Sequence, residues 1–432
     1  MTNFKKIFLF ILIIKCLTLF ISCETSTSVQ TNTVTQNQSL IIGNTNETQK
    51  LIMTDLNVEE SESTKNKIIL EIGLMLPLSG EHYLLGRSLL NAAQLALEKT
   101  NQKNIIFYVI DTGNEEILLK EIYRLLEKDI EVFIGPIFTD KIIQVHEIVK
   151  EKNIPMITLS NNSILEELGI SVFGLTLEDE IKTMLNYSIK KDLNRYAVII
   201  PRNEYGRRVE KETEIFRSKN NLSAFKYVFY NPKSPDFYDI SKKISNYEKR
   251  KINLENKIKE LENENSDQAT KELEKLYKLD TYGELDFEAL LIFTQSFDEL
   301  SKLSSILPYY DVDPKKIQYI GNSLWAQNLS LKEPGLDNSY FTSLNINNKK
   351  KFEEEYFNLF KSQPHSIATL VYDIVGLISK LHSEEKIFKV GRLYTNNGFI
   401  GINGWFKMSA NGKVLRSPNI YKIKNQKFIL LN

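Results

Sequence analysis

The sequence predicts an α/β fold: two doubly wound, Rossmann-like lobes with a cleft between them, plus a helical hairpin inserted in the second lobe. Three observations lead there. From residue 67 onward, short apolar strands alternate with amphipathic helices, the pattern of parallel sheets covered by helices on both faces. The alternation restarts near residue 180, so the roughly 365 residues after the N-terminal region divide into two units of ordinary domain size. Between two strands of the second round, an apolar 4-3 spacing replaces the strand pattern over 239–280.

The chain opens on Lys5 and Lys6, continues through an apolar run over 7–21, and reaches Ser22-Cys23. These are the basic, hydrophobic and small-residue regions of an export signal. Leu19-Phe20-Ile21-Ser22-Cys23 resembles a bacterial lipobox. The resemblance implies that 1–22 is a lipoprotein signal peptide and that Cys23 is the lipid attachment site. It places the mature chain in the cell envelope, on the periplasmic side, as a membrane-anchored lipoprotein. An uncleaved N-terminal anchor is the alternative reading. Removing the signal takes Lys5, Lys6 and Lys15 and no acid, leaving 52 basic against 55 acidic residues. Such a balance gives no footprint for nucleic acid. The two cysteines are Cys16, lost with the signal, and Cys23, consumed by lipid. The mature chain therefore has no disulfide and depends on its apolar core.

Residues 23–66 are rich in Ser, Thr, Asn, Gln and Glu and poor in aromatics. They bury too little to offset ordering, and we read them as a disordered tether. About 43 flexible residues average roughly 35 Å in span.

In the first lobe, strands are expected at 68–76, 105–110, 132–135 and 155–159, with helices at 84–99, 115–127 and 139–151. In the second, helices are expected at 181–190 and 206–219, with strands at 196–200, 224–229, 289–293 and 317–320. The inserted hairpin places Ile240, Ile244, Tyr247, Leu254, Ile258 and Leu261 on one seam. After a polar break over 262–267, Ala269, Leu273 and Leu276 resume it. Two arms of about 17–20 residues would each run about 25–30 Å. They pad the domain, protrude toward a partner, or are locally disordered. Helices follow at 350–361 and 367–381, then a strand hairpin over 404–416 turned by Asn411-Gly412, then strands at 420–424 and 428–431. We assign 67–180 and 345–393 to lobe I, and 181–344 and 394–432 to lobe II.

Ligands in doubly wound sheets gather at the carboxyl ends of strands. The loops 77–86, 135–139, 160–163 and 201–206 are therefore the expected contacts. No catalytic constellation accompanies them. Gly-x-Gly-x-x-Gly, phosphate-loop and Gly-x-Ser-x-Gly patterns are missing from the sequence. His82, His146, His365 and His382 have no metal-ligand spacing. The expectation is a non-enzymatic cleft binder with no cofactor and no metal.

Several motifs carry a resemblance to a known superfamily. Ile72-Gly73-Leu74-Met75-Leu76-Pro77-Leu78-Ser79-Gly80, Gly86-Arg87 and Asn91-Ala92-Ala93-Gln94-Leu95-Ala96 resemble the opening of type I periplasmic binding proteins, the Leu/Ile/Val-binding superfamily. Phe133-Ile134-Gly135-Pro136, Ile154-Pro155-Met156-Ile157, Tyr205-Gly206 and Leu370-Val371-Tyr372-Asp373 follow in that superfamily's order. Leu307-Pro308-Tyr309-Tyr310-Asp311-Val312-Asp313-Pro314, Ile320-Gly321-Asn322-Ser323-Leu324-Trp325 and Gly398-Phe399 through Trp405-Phe406 are similar to penicillin-binding-protein activator lipoproteins. The resemblance implies the binding-protein fold and a peptidoglycan synthase as partner. The alternative is an ABC-transporter substrate-binding lipoprotein for an amino acid or related small molecule, which would meet a transporter permease. It also implies candidate ligand contacts at Ser79, Thr139, Ser160, Asn161, Tyr205 and Asn322. Thr139 and Ser160 would meet a carboxylate and Tyr205 would cover the ligand. Helix capping is the other reading of Thr139 and Ser160, and hinge packing that of Tyr205. Around Asn322-Ser323, where an acid would hold an ammonium, the local sequence is neutral.

Overall fold

A computed structural model describes residues 41–43, 49–52, 69–326, 333–385 and 388–431. Residues 1–22, read above as a signal peptide, and Cys23 lie outside the described residues. The first lobe runs β1 (Ile41–Gly43), β2 (Gln49–Ile52), β3 (Leu70–Leu76), α1 (Tyr83–Thr100), β4 (Ile105–Asp111), α2 (Glu115–Leu125), β5 (Ile130–Ile134), α3 (Thr139–Val149), β6 (Met156–Thr158) and β7 (Ser171–Val172). The second runs α4 (Leu177–Ile189), β8 (Tyr196–Pro201), α5 (Glu204–Lys219), β9 (Lys226–Tyr230), α6 (Phe237–Ile244), α7 (Tyr247–Glu262), α8 (Asp267–Leu276), β10 (Ala289–Ile292), α9 (Phe297–Ile306), β11 (Gln318–Gly321) and β12 (Tyr340–Ser343). The chain then adds α10 (Ile346–Phe360), α11 (Ala368–Glu385), β13 (Phe399–Gly401), β14 (Gly404–Met408), β15 (Val414–Arg416), β16 (Asn419–Lys424) and β17 (Lys427–Leu430).

Each lobe is built on a parallel five-stranded sheet of the same winding. The orders are β4-β3-β5-β6-β7 and β9-β8-β10-β11-β12. The chain starts in an inner strand, moves to one edge, then reverses, which opens a crevice at the switch point. β2 extends the first sheet antiparallel to β4, and β16 and β17 extend the second. Alternation along β3 explains the two-sided burial. Leu70, Ile72, Leu74 and Leu76 face the core beneath α1 and α11, whereas Met75 faces the one beneath α2 and α3. Each such side chain contributes about 1.5–3 kcal/mol by leaving water.

Three expectations change. Strands β1 and β2 fall inside the 23–66 stretch read as a disordered tether, so that reading does not hold for those residues. The free edge of β4 supplies backbone partners, with Lys50 opposite Tyr108, and composition alone carries no sign of such an edge. The strand hairpin 399–416, expected in lobe II, belongs with lobe I. Phe406, Met408 and Val414 join the core that contains Leu70, Ile72 and Leu74 of β3, and only β16 and β17 join the second sheet. The inserted arm is also shorter than its seam suggested. Asn246 adopts φ 52 and breaks the helix, so Ile240 and Ile244 on α6 serve the lobe II core. The arm proper is α7 and α8, with its own small core of Leu254, Leu261, Ala269 and Leu276.

The foot of the arm is fixed. Arg250 is buried, donates from Nε to the Gly283 carbonyl at 2.9 Å, and pairs through Nη1 with Asp311 Oδ2 at 3.0 Å. The Tyr282 amide donates to the Arg250 carbonyl at 3.0 Å, so the two ends of the arm lie side by side.

Candidate functional site

Three short connectors, 173–176, 344–345 and 417–418, join the lobes, and a cleft of about 1000 Å³ opens between them. Loops 137–139 and 159–162, both at carboxyl ends of first-lobe strands, form one wall. Ser323, Ala326 and Ser343 of the second lobe form the other, and the start of α10 and residues 365–370 close one end.

Of the six sequence candidates, Thr139, Ser160 and Asn161 line this cleft. The Ser160 hydroxyl accepts from the Asn162 amide at 3.1 Å, and Thr139 Oγ1 accepts from Asn162 Nδ2 at 3.4 Å. Thr139 does not cap its helix. The N-cap of α3 is Phe138, which has no side-chain acceptor, so the first-turn amides of α3 meet the cleft uncapped.

Ser79, Tyr205 and Asn322 lie outside the cleft lining. Ser79 belongs to a turn wound around Asp111, whose Oδ1 accepts from the amides of Leu78, Ser79 and Gly113. Tyr205 is packed inside lobe II, with its ring edge toward Phe293 and its hydroxyl accepting from Asn322 Nδ2 at 2.9 Å. Burial raises its phenol well above the ordinary range.

Residues without a local sequence signal complete the site. Glu180, in the first turn of α4, reaches the Asn322-Ser323 turn, whose own neighbours include no acid. Its Oε1 accepts from the Ser323 amide at 2.6 Å and from Thr342 Oγ1 at 3.4 Å. Burial pushes this carboxyl up to about 7. Lys349, Lys350, Glu353 and His365 line the cleft, whereas Glu180 does not. Lys349 Nζ sits 3.6 Å from Glu353 Oε1. His365 Nδ1 accepts from the Ile367 amide at 3.4 Å, and burial, then the charge of Lys349, pull its pKa down.

Asp373, from the Leu370–Asp373 motif, is buried below the cleft floor and accepts from the amides of Ile402 and Asn403 and from Asn403 Nδ2. Asn403 Oδ1 in turn accepts from Thr369 Oγ1. Arg416 lies buried nearby, donating from Nε and Nη2 to the Phe173 carbonyl at 2.9 and 2.7 Å, with its guanidinium 4.2 Å over the Phe173 ring. The motif Asp therefore holds the hinge-side loop rather than the cleft wall. Among the described residues, no group of three His, Cys, Asp or Glu is placed to hold a metal ion.

Residues 52–273, more than half of the chain, match the model of the LppC putative lipoprotein family. The chain belongs to that family. A curated but uncharacterised protein of Rickettsia prowazekii (strain Madrid E) is 20% identical over 341 residues, covering 78% of this chain and 81% of its own. Among solved structures, the leucine binding protein LivK of Thermotoga maritima matches with a TM-score of 0.52 at 17% identity, covering 84% of this chain and 98% of that one. The C-domain of LpoA from Haemophilus influenzae, described as a regulator of PBP1A, matches with a TM-score of 0.56 at 16% identity, covering 84% of this chain and 100% of that one. These likenesses establish the type I periplasmic binding protein fold, and both sides of the sequence resemblance find a counterpart among them. Within the described residues, no helix is long and apolar enough to cross a membrane.

Proposed function

We propose that this chain is a lipid-anchored, non-catalytic protein of the cell envelope that activates a penicillin-binding protein and so supports peptidoglycan synthesis. The observation that carries the reading is the fit of an entire LpoA C-domain, a PBP1A regulator, onto this fold within a family of putative lipoproteins. The cleft supports it: the one lining acid among the described residues, Glu353, already lies beside Lys349, and Glu180 is turned onto Ser323. A free amino acid would find no ready partner for its ammonium. Cys23 would be the membrane attachment, and the arm within 239–280 or a lobe surface would meet the synthase. A second reading, a transporter-linked binding protein, draws on Thr139 and Ser160 in the cleft and on the leucine-binding neighbour.

Envelope crosslinking followed by purification of the full lipoprotein is expected to recover a peptidoglycan synthase. Recovery of a transporter permease instead would favour the second reading. Because residues 250 and 282 are adjacent, 252–280 can be replaced by a short Gly-Ser link without opening the lobe core. That excision is expected to leave the fold intact and cut synthase recovery at least tenfold. Undiminished recovery would assign the contact to a lobe surface.

A further inference from the structure

The polarity of the cleft says more about its occupant than its shape does. Among the described residues its lining carries two lysines against one carboxylate, and that carboxylate, Glu353, is 3.6 Å from Lys349. Lys350 adds a positive charge at the rim with no acid paired to it among the lining residues. His365 adds a donor: its Nδ1 takes the Ile367 amide, so the ring proton resides on Nε2. On the first-lobe wall, α3 begins at Thr139 without a side-chain cap, and the acid of its first turn, Asp140, is outside the lining. These features all favour negative charge.

The opposite preference is missing. A carboxylate is the strongest partner for an ammonium; the lining one, Glu353, already faces Lys349, and Glu180 is absent from the lining, its Oε1 accepting from Ser323 and Thr342. Neutral polar groups make up much of the remaining wall: Asn161, Asn162, Ser323, Ser343, Asn345 and Ser366.

We propose that the cleft binds a carboxylate bearing hydroxyl or acylamino groups and no free ammonium, in the chemical class of a sugar acid or an N-acylated amino acid. The proposal does not rest on the synthase partnership. It assigns the cleft a ligand whichever macromolecule the lipoprotein meets, and synthase recovery scores the other reading separately.

Three probes separate the possibilities, measured by calorimetric titration of the full-length lipoprotein in detergent. N-acetylleucine and leucine differ in whether the amine is acylated, and N-acetylmuramic acid offers a carboxylate, an acylamino group and hydroxyls together. At least one of the two acylated acids is expected to bind, at least tenfold more tightly than leucine. The Lys349→Met/Lys350→Met double variant is expected to lose at least tenfold of that affinity, and raised salt is expected to weaken binding to the wild type more than to the variant. The unliganded melting midpoint of the variant checks its fold. Binding of leucine equal to or tighter than both acylated acids overturns the proposal. So does the absence of binding by both acylated acids up to 10 mM, a ceiling of roughly the weakest useful affinity, or unchanged affinity in a folded double variant.

Discussion

Gly206→Ala and Gly86→Ala are each expected to lower folding stability by about 3–5 kcal/mol, a large share of the 5–15 kcal/mol typical of a native protein. A Cβ on Gly206 would lie 1.8 Å from the Pro201 carbonyl oxygen, and one on Gly86 would lie 1.9 Å from that of Pro77. Neither obstacle is a flexible side chain. Each is the backbone of the turn that carries the first inner strand of a lobe, β3 or β8, into its helix. The two lobes use the same device: a proline at the strand end and a glycine in the first turns of α1 or α5, with the helix pressed onto the loop. Accommodation requires helix and strand to separate, which unpacks Leu89 or Val209 from the core. Gly376, inside α11, is the control, because its Cβ would meet nothing within 4 Å. Gly376→Ala is expected to gain about 0.5–1 kcal/mol from helix propensity and reduced freedom of the unfolded chain. Denaturant midpoints of the three variants test the contrast. Equal, small effects at all three positions would refute it.

That result bears on how the motifs are read. In the sequence, Gly86-Arg87 and Tyr205-Gly206 are markers of a ligand-binding superfamily, and Ser79 and Tyr205 are candidate contacts. The structure gives the glycines, Ser79 and Tyr205 packing and turn roles, while Thr139 and Ser160 reach the cleft from two other loops. Strands with strong apolar runs, such as 70–76 and 196–201, are legible because both faces of a parallel strand are buried. β7 has two residues and β12 reads Tyr-Phe-Thr-Ser, too short or too polar to announce themselves. The placement of 399–416 depends on how many times the chain crosses between lobes, which no local pattern records. The arm's seam is legible, but its start is not, because the break at Asn246 rests on one left-handed residue.

Glu180 shows the limit most clearly, and it carries the second large effect. A local pattern can offer an acid to Asn322-Ser323 only from neighbours in sequence, whereas the fold delivers one from 143 residues away. Its carboxyl is expected to ionise near 4.5 in the unfolded chain and at about 7 in the folded one. Between those values the folded state keeps a proton that the unfolded state has released. Stability attributable to this group is therefore full below about pH 4.5, falls as pH rises, and levels off above about pH 7. A difference of that size corresponds to about 3 kcal/mol. Glu180→Gln keeps an oxygen for the Ser323 amide and the Thr342 hydroxyl but cannot ionise. At pH 5 the variant should be the more stable by only about 1 kcal/mol, and at pH 8 by about 3 kcal/mol. The comparison must be between the two proteins, because Glu131, which burial also lifts to about 7, adds its own slope to both. A wild-type advantage at pH 8 would mean that the charged carboxylate is stabilised in place, with Ser323 and Thr342 outweighing burial. Glu180 would then be an available anion behind the second-lobe wall, and a cationic ligand group would regain a partner there.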